Sequence, residues 1–129
     1  MSDQKKLEDL FVDEEDLNEE LLVETVGQYA QIGKETGDLI PKSPYNGLDS
    51  KGRIIVALLA QKARFELDLT GSEWLSPGEI SDLSGVKKNT VYPSVRELTS
   101  EGILRDEDGE YRVPSVNIEQ AKEYLAEGE

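Results

Sequence analysis

Lys87, Lys88, Asn89 and Thr90 stand together at the N-terminal end of a predicted helix. That is where recognition helices meet base edges and phosphates. At about 100° per residue, Asn89, Tyr92, Pro93, Arg96 and Ser100 fall on its outward side, opposite a stripe of Val91, Val95 and Leu98. Other chemistries are poorly supplied. The chain has no cysteine, which excludes disulfides and thiolate metal sites. It has no histidine, the commonest general base and zinc ligand. Gly27, Gly33 and Lys34 imitate a phosphate loop, but five residues rather than four separate the glycines, and Glu35 replaces the magnesium-binding hydroxyl. Asp13–Asp16 and Asp106–Asp108 lack calcium-loop spacing. No enzyme, metal or cofactor is expected.

The net charge is −14 over 129 residues. Residues 1–49 carry 13 acids and four bases; residues 50–129 carry 15 acids and ten bases. Such acidity has two ordinary causes, an acidic interaction tail or adaptation to a very salty, halophilic cytoplasm. Acids spread along the whole chain fit the second, whereas nine lysines against five arginines do not. No apolar run is long enough to span a membrane, and the start Met1-Ser2-Asp3-Gln4 has no signal-peptide core. A cytoplasmic protein is expected.

The elements that must position the polar cluster are legible. Residues 1–15 form an acidic stretch with an apolar cluster, Leu7, Leu10, Phe11 and Val12. Its composition reads as a flexible tail; the sharper alternative is a patch that docks on a partner or on the domain itself. Residues 16–49 form an N-terminal helix and an irregular extension. Asp16 and Glu19 predict a capping box, the spacing of Leu17, Leu21, Leu22, Val26 and Tyr29 predicts a helix over 17–32, and Gly33 stops it. A short extended stretch is expected at 38–42.

Residues 50–129 hold the main domain. Ser50 caps a helix over 51–67 that is apolar on more than one face, hence buried, with a spare face for a dimer. Trp74 and Leu75 begin a short strand. Ser76-Pro77-Gly78-Glu79 combines cap, first-turn proline and third-position acid. Gly85 takes the left-handed turn, and Val86 plugs the angle between helices. The next helix is expected to begin at Asn89, which puts Pro93 in the first turn, where its missing N–H costs little. Asp108-Gly109 between apolar residues predicts a tight hairpin, and Asn117 caps a last helix.

Ser76–Ile80, Gly85–Tyr92 and Leu98–Val113 resemble the winged helix-turn-helix superfamily, particularly small archaeal and prokaryotic transcriptional regulators. The likeness implies a mostly α fold with a small β-hairpin wing, carrying extra N-terminal and C-terminal helices. It further implies that Lys87, Lys88, Asn89, Thr90, Tyr92 and Arg96 contact double-stranded DNA, with Arg105 and Arg112 on the wing. The lysines would neutralise phosphates and Asn89 would pair with an adenine edge. The expected function is therefore that of a sequence-specific DNA-binding transcriptional regulator, acting as a homodimer. The alternative is a winged-helix interaction module that does not bind DNA and meets a protein through its acidic N-terminal region or the face of the helix over 17–32. The acidic hairpin turn motivates it.

Overall fold

The apolar run over residues 54–60 dictates the centre of the molecule. A computed structural model of the chain describes residues 5–128. In chain order these form α1 (Glu19–Gly27), β1 (Ala30–Ile32), β2 (Leu39–Pro41), α2 (Ser43–Asn46), α3 (Ser50–Glu66), α4 (Pro77–Ser84), α5 (Lys88–Ser100), β3 (Arg105–Glu107), β4 (Glu110–Arg112) and α6 (Ile118–Glu127). The molecule is mostly helical, with two small antiparallel hairpins.

Helix α3 is the axis. Every residue from Ile54 to Ala60 is at most 1% exposed, and α1, α4, α5, α6, β1 and β4 pack round it. Each buried Ile or Leu contributes about 1.5–3 kcal/mol. The expected spare face for a dimer is absent over these residues, because the chain's own helices cover it. The helix also starts one residue early: Asp49, not Ser50, is the cap, its carboxylate accepting from Gly52 N at 2.7 Å.

The N-terminal helix is shorter than its periodicity predicts. Asn18 caps it, accepting from Leu21 N at 3.0 Å, so Asp16 is not the cap. The helix stops at Gly27 rather than near Gly33. Ala30, Gln31 and Ile32 instead pair with Pro41, Ile40 and Leu39. A cross-strand ladder satisfies these backbones through residues seven to eleven positions away, which a helical periodicity cannot reveal. The extended stretch expected at 38–42 is the second strand of that hairpin. Tyr29, buried at its base, donates to the Leu125 carbonyl and so binds the extension to α6.

The acidic N-terminal stretch divides in two. Leu7, Leu10, Phe11 and Val12 are 67–84% exposed. The residues that follow lie on the domain: Leu17 packs against the core, and Glu14 and Glu15 form ion pairs with β3 and β4. Residues 1–4 of the expected tail and Glu129 of the expected domain lie outside the described residues. No helix among the described residues is long and apolar enough to cross a membrane.

Candidate nucleic-acid interface

The local sequence between Ser76 and Lys88 builds a rigid corner. Ser76 Oγ accepts from Glu79 N, and the Glu79 carboxylate accepts from Ser76 N at 2.9 Å. This reciprocal cap, with Pro77 in the first turn, starts α4 where the sequence predicts. Gly85 ends it at φ +79°, in the left-handed region that side chains disfavour. The corner is then cross-tied. Ser81 Oγ donates to the Val86 carbonyl at 2.6 Å, Val86 N donates to Ser84 Oγ at 3.1 Å, and Tyr45 donates its hydroxyl proton to the Ser84 carbonyl at 2.5 Å. Val86 is buried in the angle.

Helix α5 leaves this corner with one face locked. Val91, Val95 and Leu98 have no exposure, and Ser94 is buried beside them. Lys87, Lys88, Asn89, Tyr92 and Arg96 are exposed and Thr90 is half-buried, so the outward face has the composition expected for it. Among the described residues, none of these six side chains is held by an ion pair or hydrogen bond. Lys87 is the cap residue and supplies no side-chain acceptor. The Lys88 and Asn89 N–H groups at its start therefore stay open to an outside anion, whereas Thr90 N already donates to the Lys87 carbonyl at 2.9 Å. The Lys88 ammonium lies over the start of α4; a Cβ added at Gly78 would sit 3.7 Å from it.

The start of α5 differs from expectation by one residue, and that changes the meaning of Pro93. The helix begins at Lys88, so Pro93 lies in its second turn, inside the helix. There its ring nitrogen cannot donate to the Asn89 carbonyl, and one rung of the ladder is lost.

The C-terminal hairpin places the other two expected cations. Asp108 and Gly109 both take positive φ, +52° and +81°, as a two-residue hairpin turn requires. Arg105 faces Arg112 directly across the ladder. A hydrogen-bonded bridge from Leu75 to Tyr111 adds the short strand expected near Trp74. Neither arginine is unpaired. Glu14 meets Arg105, and Glu15 meets the Arg112 fork with both oxygens, at 2.6 and 3.0 Å. Arg112 also donates to Glu73 at 3.1 Å and stacks over the Trp74 ring, 4.8 Å from its centre. These bonds raise the Arg112 pKa and hold the Glu15 carboxyl below its ordinary value. The turn between the strands, Asp106 to Glu110, is exposed and acidic.

Beneath the hairpin lies a buried charge cluster that the sequence reading passed over. Lys62 is 1% exposed and donates to the Glu73 oxygen at 2.7 Å, the same oxygen that accepts from Arg112. A signal was present. Lys62 follows Leu58 by four residues and Leu59 by three, on the buried side of α3, where a charge requires a partner. Asn117 also departs from expectation. It donates to the Gly102 and Ile103 carbonyls, at 2.8 and 3.1 Å, and does not cap α6 with its side chain. Among the described residues no cluster of three His, Cys, Asp or Glu side chains is arranged to hold a metal ion. No protein-family model, curated protein or solved structure matches the chain.

Proposed function

We propose that the chain is a sequence-specific DNA-binding transcriptional regulator of the winged helix-turn-helix type, acting in the cytoplasm as a homodimer, with α5 as the reading helix and β3–β4 as the wing. One observation carries the reading. Three cations and an asparagine, Lys87, Lys88, Arg96 and Asn89, stand unpaired on the exposed face of a helix whose other face is locked in the core. In a chain with twice as many acids as bases, cations left without partners on one face call for an anion from outside. The lysines suit backbone phosphates and Asn89 suits a base edge. Net negative charge opposes this at low salt. In a saline cytoplasm the opposition fades, since the Debye length is about 3 Å at 1 M salt. The test is a mobility shift against genomic DNA at low and at multimolar potassium. A complex that Lys88→Glu abolishes is expected; no complex at any salt would discard the reading.

A second reading has its own support. Leu7, Leu10, Phe11 and Val12 are exposed together in an acidic segment, and the tip of β3–β4 is acidic where a DNA-contacting wing carries bases. Both suit an interaction module that docks on a protein. A stoichiometric protein partner whose binding ignores changes at Lys87 and Lys88 would favour it.

A further inference from the structure

Among the described residues, the arginines of β3 and β4 are the one place where the acidic N-terminal segment bears on the proposed DNA interface. Arg105 and Arg112 face each other across the ladder, an arrangement of like charges that destabilises a hairpin unless counter-ions lie between them. Two consecutive carboxylates supply them. Glu14 sits on Arg105, and Glu15 spans the Arg112 fork with both oxygens. Paired oxygens on a guanidinium fork are the geometry by which arginine also takes a phosphate. The charge below is arranged to want an anion. Lys62 and Arg112 share one oxygen of Glu73, so without Glu15 two cations would face a single carboxylate. The segment that delivers the acids is attached only lightly. Both glutamate side chains are about half-exposed or more; the Glu14–Arg105 pair is exposed on both sides, the kind that holds weakly, while the Arg112 side of the Glu15 pair is 12% exposed.

We propose that the paired arginines of the wing are a phosphate-binding site, and that Glu14 and Glu15 occupy it in the free chain as stand-ins for two backbone phosphates of DNA. Binding of DNA displaces them. The segment thereby weakens non-specific attachment and leaves the first contact to α5. The inference rests on the DNA-binding reading above and adds to it a second contact and its masking.

The experiment uses the full chain, in four forms, on one duplex that the wild type shifts. These are the wild type, Glu14→Gln/Glu15→Gln, the same pair with Arg105→Gln, and Glu19→Gln/Glu20→Gln as a control that removes equal charge from the exposed first turn of α1. The unmasked variant is expected to bind about three- to tenfold tighter than the control, as when a site only fractionally open becomes fully open. The gap closes as salt rises, because the masking pairs are themselves screened. Adding Arg105→Gln removes most of the gain. Equal affinity of the unmasked variant and the control, or a gain that survives Arg105→Gln, would overturn the masked site while DNA binding stands. Absence of any complex in all four forms removes the DNA reading and this proposal with it.

Discussion

Tyr45, in the four-residue helix α2, donates its hydroxyl proton to the carbonyl of Ser84, the last residue of α4, at 2.5 Å. The bond crosses from the N-terminal extension to the corner that aims α5. The extension is therefore part of the frame of the proposed reading head. Burial pushes the Tyr45 pKa up to about 12, opposed by the nearby Arg53.

Tyr45→Phe should therefore loosen the corner. It leaves the buried Ser84 carbonyl without its donor, a loss of about 1–2 kcal/mol, read from the midpoint of urea unfolding. The pH dependence has a definite sign. A phenol whose folded pKa lies above its ordinary value contributes stability fully below pH 10, and that contribution is lost as pH rises through about 12. Alkaline unfolding of the wild type should begin in that window. The Phe variant should lack this component, and an unchanged alkaline profile would refute the role.

The cluster under the β3–β4 hairpin predicts an asymmetry between its members. Glu73 is the acid shared by Lys62 and Arg112. Glu73→Gln leaves both cations without it and should cost about 3 kcal/mol or more. Lys62→Met leaves Glu73 still paired with Arg112 and should cost clearly less. Thermal or urea unfolding of the two variants decides it, and equal losses would show that the pairing is not shared as described.

Gly85→Ala isolates the cost of the turn. A Cβ at Gly85 would meet nothing within 4 Å, so only the backbone at φ +79° resists it. A loss of about 1–2 kcal/mol is expected, with Gly85→Asn losing less because Asn tolerates this conformation. A neutral Ala variant would mean the corner can be made without the left-handed turn.

What the sequence made legible was what short stretches decide for themselves. Ser76, Pro77 and Glu79 start a helix by contacts within one turn, and Asp108-Gly109 closes a hairpin by its own backbone preference. Those features stand where they were expected, as does the inward stripe of α5. Boundaries fared worse where neighbouring residues compete for one role, as Asn18 does with Asp16 and Asp49 with Ser50. Contacts between distant segments left no local trace. Nothing near Tyr29 marks the pairing of residues 30–32 with 39–41, and nothing near Glu14 marks the hairpin residue it reaches, 91 positions away. The polar face of α5 was legible because periodicity assigns faces; the occupancy of Arg105 and Arg112 was not, because it depends on where the chain returns.

The hold of that returning segment should depend on pH in one direction only. The Glu15 carboxyl is kept below its ordinary value chiefly by its hydrogen bonds to Arg112, with partial burial opposing and the charges of Arg112, Lys62 and Arg105 assisting. A lowered folded pKa means that the contribution is complete above pH 4.5 and fades as pH falls through the depressed value. Acid should therefore release residues 13–16 from the β3–β4 hairpin. Trp74, the single tryptophan, lies under the Arg112 guanidinium, so its fluorescence is a natural reporter of that fork. A transition in Trp74 emission is expected at acid pH, ahead of or alongside loss of helicity. Glu15→Gln should show the released signal already at neutral pH and lack the transition. Emission that follows helicity alone, and is the same in both proteins, would mean that the segment exerts no pull on the hairpin.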